Sequence, residues 1–236
     1  MSKFKERIYT AGLIIIGNEI LSGRTEDKNI SYVANSLSKS GIRLNEVRVI
    51  PDIEEEIVLA TNNFRHRFDY VFTTGGIGPT HDDITTQSIA KAFEVENILN
   101  NEAYKILLDY YGDRSKINES RMRMAYAPEG SELIYNPISR APGYKIDNVF
   151  ILAGVPKIMM SMLDTILPTL KKGRPLSSIE IDARVPEGVI APDLTKIQEK
   201  YIEIEIGSYP YYDKDIAGTV LVLRSTNDEI LKKARG

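Results

Sequence analysis

The sequence contains no cysteine, and this absence excludes several classes of protein. Without thiols the chain cannot form a disulfide scaffold, use a cysteine nucleophile, or bind zinc or an iron–sulfur cluster through cysteine. Histidine is almost as scarce, since only His66 and His81 occur, and this excludes a metal site built from several histidines of one chain. A chain without cysteine fits a reducing compartment, so we expect a cytoplasmic protein.

The sequence also lacks long apolar runs and a strong excess of one charge. The longest apolar run, Leu13–Ile16, is far shorter than the roughly 20 residues that cross a bilayer. The polar residues before it and Gly17 after it do not fit a signal peptide. The 30 basic and 33 acidic residues give a net charge of −3, which is unfavourable for binding polyanions. We therefore expect neither a membrane nor a nucleic acid as a partner.

The composition that remains is that of an ordinary globular protein. The 236 residues are 42% hydrophobic and 27% charged, enough apolar side chain for a core. This length predicts one large domain, or a medium domain followed by a small one. The glycine, proline and basic residues of Lys171–Pro175 interrupt the pattern and mark a candidate linker. We therefore expect domains at residues 1–173 and 174–236.

Strands alternate with helices in the first of these domains. Apolar, β-branched segments predict strands at residues 8–16, 42–50, 69–74 and 149–152. Apolar residues at helical spacing predict helices at residues 25–40, 51–64, 84–93, 101–111 and 156–167. This alternation predicts an α/β fold with a mostly parallel sheet and helices on both faces.

The alternation of strands and helices changes after residue 173. A strand at residues 178–185 is followed by a helix at residues 191–201. We then expect a hairpin whose strands, residues 202–208 and 216–224, flank a turn at Tyr209–Asp213, and a last helix at residues 227–234. These elements predict a small α+β domain.

The segment Thr73–Thr85 carries the strongest chemical signal in the sequence. Three glycines and a proline follow a predicted strand, and a helix starts at about Asp83 or Ile84. At the carboxyl end of a parallel strand, glycines let backbone N–H groups approach a phosphate, and a helix N-terminus adds positive potential. A tight turn is the alternative, but it needs fewer glycines. We predict an anion site formed by Thr73, Thr74, Gly75, Gly76, Gly78, Pro79 and Thr80.

Four acidic residues follow predicted strands and are candidates for the same edge of the sheet. Asp83 occupies the position of a helix N-cap, and Asp52 opens a pattern similar to a capping box, so capping is the alternative for both. Two adjacent carboxylates beside a phosphate loop nevertheless repel the anion unless a cation lies between them. With Glu19 as a ligand-binding residue, we predict a divalent metal held by Asp52, Asp82 and Asp83 and suited to phosphoryl chemistry.

Several segments together resemble the MoaB/MogA superfamily of molybdopterin-binding domains. The similarity is greatest to the amino-terminal part of the CinA branch, and the run Thr73–Thr85 is its most specific motif. It extends over nearly the whole chain. The other supporting segments are residues 17–23, 51–52, 136–137, 141–143, 154–156 and 206–210.

The resemblance implies a three-layer α/β/α domain that binds the phosphorylated end of a pterin or nucleotide. It also implies that Asp52 and Asp83 are catalytic, that the protein is a homo-oligomer like its relatives, and that the second domain is KH-like. The CinA branch implies hydrolysis of pyrophosphates of the ADP-ribose type with Mg²⁺, Mn²⁺ or Co²⁺. Molybdopterin adenylylation or binding is the alternative, with molybdopterin as the ligand, and a non-catalytic ligand-binding protein is a third.

The sequence departs from that branch in ways that bear on catalysis. Ile158 stands where the branch carries a glutamate, and Ser139-Arg140 replaces Gly-Thr; both changes favour ligand binding over hydrolysis. The chain has no segment like the deamidase domain of bacterial members, and we do not expect that activity. The second domain has no Gly-x-x-Gly loop and contains 9 basic and 11 acidic residues, which disfavours RNA binding.

Overall fold

The computed structural model describes residues 7–213 and 216–235. The chain divides into two compact units, residues 1–173 and 174–236, and each is described by itself. None of the helices in the described ranges is both long and apolar enough to cross a membrane.

The first unit contains eight strands and seven α-helices among the described residues. The strands are β1 (Tyr9–Ile16), β2 (Ile42–Ile50), β3 (Tyr70–Thr74), β4 (Asn97–Leu99), β5 (Tyr126–Pro128), β6 (Glu132–Ile134), β7 (Gly143–Ile146) and β8 (Val149–Leu152). The helices are α1 (Asn18–Leu21), α2 (Asn29–Lys39), α3 (Glu54–Arg65), α4 (Thr85–Ala92), α5 (Asn101–Tyr111), α6 (Glu119–Arg123) and α7 (Pro156–Ile166). Short 3₁₀ turns occur at Arg114–Lys116 and Leu167–Thr169.

Six of these strands form one sheet in the order β2-β1-β3-β8-β7-β6. The first four are parallel, whereas β7 and β6 are antiparallel to their neighbours. Strands β4 and β5 pair separately as a two-stranded antiparallel sheet. The predicted α/β fold with a mostly parallel sheet is confirmed.

The core lies on both faces of the six-stranded sheet. Alternate residues of β1 point to opposite sides, so Ile14 packs with residues of α3, α4 and α5, and Leu13 packs with residues of α2 and α7. Both side chains are fully buried, as expected for a central parallel strand covered by helices on each face. Met159 and Met162 of α7 fill the second of these cores. The helices and the sheet therefore form three layers.

The long elements lie close to their predicted positions, and the short ones were not predicted. Helix α5 and strands β2 and β8 have the predicted bounds, whereas α2 begins at Asn29 instead of residue 25. Strands β4 to β7 contain three or four residues each, too few for apolar periodicity to reveal.

The second unit is a three-stranded antiparallel sheet with two helices. Its elements are β9 (Ser177–Asp182), α8 (Glu187–Lys200), β10 (Glu205–Asp213), β11 (Ile216–Ser225) and α9 (Asp228–Arg235). The strand order is β10-β11-β9, and a small core forms around Ile204, Leu223 and Leu231.

The predicted turn of the hairpin is wrong. Residues Tyr209–Asp213 belong to β10 and pair in register with β11, and the residues that join the two strands, 214 and 215, lie outside the described ranges. Pro210 suggested a turn, but β10 is an edge strand, where a residue without a backbone N–H is tolerated.

Candidate functional site

The carboxyl ends of the four parallel strands meet at one edge of the first sheet, which we call the carboxyl edge. Ile16 is in register with Ile50, Ile15 with Thr74, and Thr74 with Leu152. The loops after β1, β2, β3 and β8 therefore emerge side by side. In parallel α/β sheets this is the edge where ligands bind. Three sequence segments that were predicted to form a site come together here.

The glycines after β3 are required by close packing of the backbone. Gly75 and Gly76 have φ angles of 105° and 67°, in the left-handed region that favours glycine. A Cβ on Gly75 would lie 2.0 Å from the carbonyl oxygen of Ile16, and one on Gly76 would lie 2.1 Å from Oγ1 of Thr85. The Thr85 N–H donates to the Gly76 carbonyl at 3.0 Å. These contacts hold the loop against β1 and the start of α4.

Asp83 does not cap α4, so the capping alternative is wrong for this residue. The N-cap position is Ile84, and no side chain there accepts a hydrogen bond. Instead, Oδ2 of Asp83 accepts from the Thr80 N–H at 2.7 Å and lies 2.5 Å from the Thr80 hydroxyl. Oδ1 of Asp82 lies 2.5 Å from the same hydroxyl, which lowers the pKa of Asp82. One hydroxyl proton therefore faces two carboxylates.

Asp52 also has a tertiary partner instead of a capping role. The N-cap of α3 is Ile53, without a side-chain cap. The Asp52 carboxylate accepts from the backbone N–H of Asn18 at 2.9 Å and so joins the loop after β2 to the loop after β1. Glu19, in the short helix α1 that follows β1, is exposed and folds over Gly17, where an added Cβ would lie 2.6 Å from the carboxylate oxygens.

The predicted phosphate donors differ in exposure. Thr73 and Thr74 are 0% and 1% exposed, and neither hydroxyl has a hydrogen-bond partner. Their role as donors stays a prediction. The exposed part of the loop is Pro79, Thr80 and His81, whereas Gly76 and Gly78 are half-buried.

The three predicted metal ligands are not gathered into one cluster. In the part of the chain that the structure describes, no group of three or more histidine, aspartate or glutamate side chains could hold a metal ion. Asp82 and Asp83 share Thr80, whereas Asp52 is engaged by the loop after β1. The protein thus offers two carboxylates and one hydroxyl at one point of the edge.

Two buried polar groups beside the loop were missed by the sequence analysis. The hydroxyl of Thr85 is fully buried and has no partner. Asn29 is 4% exposed; its Nδ2 donates to the carbonyl of Gly154 at 2.9 Å, while its Oδ1 has no partner. A signal for Asn29 was present, because it lies four residues before the buried Val33 and so interrupts an apolar stripe with a polar side chain.

The loop of residues 135–142 reaches the same edge from the antiparallel side. Because β7 runs opposite to β8, and β6 opposite to β7, the end of β6 and the start of β7 both lie at the carboxyl edge. Asn136 is 1% exposed and organises this loop, since Nδ2 donates to Ser139 Oγ and the Ala141 carbonyl and Oδ1 accepts from the N–H groups of Ile138 and Ser139. The loop is therefore internally fixed.

A cleft of about 570 Å³ lies at the opposite edge of the sheet. Its polar groups are largely paired: Asp69 accepts from Thr10 and Arg7, and the Tyr70 hydroxyl bonds to the backbone of Lys171. Among the described residues that line it, Asn148 has a buried Oδ1 without a partner, whereas four such atoms surround the loop Gly75–Pro79, which we call the glycine loop, and we place the candidate site there.

Two family profiles match the chain. The family described as "Probable molybdopterin binding domain" matches residues 12–172. The family described as "FAD synthase, middle domain" matches residues 175–236.

Relatives from archaea extend over most of the chain. A protein of Archaeoglobus fulgidus is 33% identical over 223 residues, which are 94% of this chain and 93% of that protein. A protein of Sulfurisphaera tokodaii is 38% identical over 213 residues, 86% of this chain and 81% of that one.

A solved structure resembles the first unit. CinA of Thermoplasma acidophilum, whose function is described as unknown, aligns with a TM-score of 0.64 and 32% identity, covering 68% of this chain and 96% of its own. The present chain therefore has an additional carboxyl-terminal part. Because the molybdopterin-binding profile matches more than half of the chain, the protein belongs to the MoaB/Mog-type molybdopterin-binding domain family, with CinA among its relatives.

Proposed function

We propose that the carboxyl edge binds the phosphate-bearing end of a nucleotide or pterin. The observation that carries this proposal is a group of buried polar atoms without hydrogen-bond partners around the glycine loop. Buried polar groups are nearly always paired, so each exception needs an explanation, and a bound ligand is one. These atoms are the hydroxyls of Thr73, Thr74 and Thr85, which can donate to phosphate oxygens, and Oδ1 of Asn29, which can accept from a hydroxyl or N–H of the ligand. Family membership supports a ligand-binding role for the domain.

We propose further that the ligand is a nucleotide pyrophosphate, which the protein hydrolyses with a divalent cation. The arrangement at Thr80 supports this, because its single proton cannot satisfy Asp82 and Asp83 together. Mg²⁺ is commonly held by one or two carboxylates plus substrate phosphates, which fits two carboxylates without a third. The bound ion would neutralise charge on the phosphates and lower the pKa of a bound water.

The match of the second unit to the middle domain of FAD synthase widens the choice of substrate. FAD and ADP-ribose both contain an adenosine diphosphate, so each offers the same two phosphates to the glycine loop. Hydrolysis of either releases AMP. Both are therefore suitable first substrates.

The experiment measures AMP release from ADP-ribose and from FAD with Mg²⁺, Mn²⁺ or Co²⁺, and again after chelation. We expect metal-dependent release, and a loss of at least a hundredfold in Asp83→Asn, because a charge beside the phosphates is removed. The variant should keep its fold, since Asn can still accept from the Thr80 N–H and Asp83 caps no helix. Absence of AMP with all three metals would refute hydrolysis.

Molybdopterin is the second candidate ligand, and the family description favours it. The same threonine hydroxyls would donate to its terminal phosphate. Incubation with molybdopterin and ATP distinguishes the two proposals, because only an adenylyltransferase forms adenylylated molybdopterin and releases pyrophosphate. Saturable binding of ADP-ribose or molybdopterin without any product would instead support a non-catalytic binding protein, consistent with Ile158 in place of an acid.

A further inference from the structure

Arg140 has a backbone conformation that is costly for its side chain. Its φ angle is 64°, in the left-handed region where a Cβ raises the energy and glycine does not. Residues held in such conformations concentrate at binding sites, where the surrounding structure imposes them. Asn136 imposes this one through four hydrogen bonds within the same loop. Glu94, Asp147 and Arg184 share a positive φ, so this strain indicates a role for Arg140 only together with its charge and its place at the carboxyl edge.

The guanidinium of Arg140 is exposed and oriented by an aromatic neighbour. It donates a hydrogen bond to the hydroxyl of Tyr135, and its central carbon lies 5.5 Å from the centre of that ring. No carboxylate within the described ranges forms an ion pair with it. Its charge is therefore available to an anion, and one contact already fixes its position.

Arg140 lies at the same edge as the glycine loop, two strands away. Strand β8 separates β7, which follows Arg140, from β3, which precedes Gly75. Two strand spacings amount to about 10 Å, a distance that a second phosphate and an arginine side chain can cover together. A monophosphate at the glycine loop would not reach so far. Arginine is the residue best suited to bind phosphate through two parallel hydrogen bonds.

Resting on the proposed function, we propose that Arg140 binds the second phosphate of the ligand and makes the site selective for diphosphates over monophosphates. This selectivity favours a nucleotide pyrophosphate over molybdopterin, which carries one terminal phosphate. Arg140 is a binding and specificity residue in this proposal, and it takes no part in bond cleavage.

The test compares binding of ADP-ribose and AMP by calorimetry in the unmodified protein, Arg140→Gly, Arg140→Lys and a control. Glycine suits the left-handed backbone, so Arg140→Gly should fold at least as well as the unmodified protein. Arg184→Gly is the matched control, since Arg184 also has a positive φ of 49° but lies in the second unit. It removes one positive charge and one positive φ from the second unit, together with the ion pair that Arg184 forms with Asp182.

We expect Arg140→Gly to weaken ADP-ribose binding tenfold or more and to leave AMP binding within twofold, because one charge-assisted contact is lost. Arg140→Lys should lie in between, and Arg184→Gly should bind both nucleotides normally. Unchanged ADP-ribose affinity in Arg140→Gly would overturn the role of Arg140, as would an equal loss for both nucleotides. In either case, the proposed function would still stand if the substitution Thr85→Val weakens AMP binding. If the unmodified protein binds neither nucleotide, both proposals fail.

Discussion

The substitution Thr85→Val tests the origin of the unpaired polar atoms. The Thr85 hydroxyl is fully buried and has no partner, and burying such a group costs roughly 1–3 kcal/mol. Valine has nearly the same shape and removes that cost. Without ligand, we expect the variant to be more stable than the unmodified protein by about 1 kcal/mol, which raises Tm by about 2–4 °C for a unit of this size.

The same substitution should weaken the binding of the ligand. If the hydroxyl donates to a phosphate oxygen, its loss costs about 1.5–3 kcal/mol, or roughly tenfold to a hundredfold in affinity for ADP-ribose. Thr61→Val in α3 is the matched control, because Thr61 is also fully buried with an unpaired hydroxyl and does not adjoin the glycine loop. It should gain the same stability and keep its affinity. Melting curves and calorimetry measure both effects. A stabilised Thr85→Val protein with unchanged affinity would refute the reasoning.

Two further substitutions test packing in the first unit, one at the glycine loop and one at the opposite edge of the sheet. Gly76→Ala should lower the free energy of unfolding by more than about 2 kcal/mol in denaturant melts, because the added Cβ would overlap the Thr85 hydroxyl and the alanine would have to adopt a positive φ. An unchanged free energy of unfolding would contradict the observed loop conformation. Burial raises the pKa of Asp69, but hydrogen bonds from Thr10 and Arg7 outweigh it and hold that pKa below its ordinary value. Asp69 therefore stabilises the fold above about pH 4 and loses this effect as pH falls further, so Asp69→Asn should be about 1–2 kcal/mol less stable at pH 7, with a difference that shrinks in acid. A deficit independent of pH would show that the charge is not responsible.

The parts of the fold that could be predicted are those that local sequence specifies. Helix α5 has a three-turn apolar stripe and ends before Gly112, which has a positive φ. Strand β8 is a continuous apolar segment, and β2 is rich in apolar and β-branched residues, which are interrupted by polar ones. Because parallel strands end at a common edge, the sequence also placed Glu19, Asp52 and the glycine loop together before their contacts were known.

The partners of the site residues could not be predicted, because they come from distant segments. Asp52 and Asp83 both stand where a cap is expected, yet Asp52 accepts from Asn18 and Asp83 from Thr80. The position of Arg140 depends on two antiparallel pairings that involve strands of three or four residues. Local periodicity carries no information on such contacts, and only the assembled sheet reveals them.

The most direct test of the central claim is a crystal structure of the protein with ADP-ribose. We predict that one phosphate lies over Gly75–Gly78 with the Thr85 hydroxyl within hydrogen-bonding distance, and that the other lies beside Arg140. Phosphates bound instead in the cleft at the opposite edge, near Tyr70 and Lys145, would contradict the assignment of the site to the carboxyl edge.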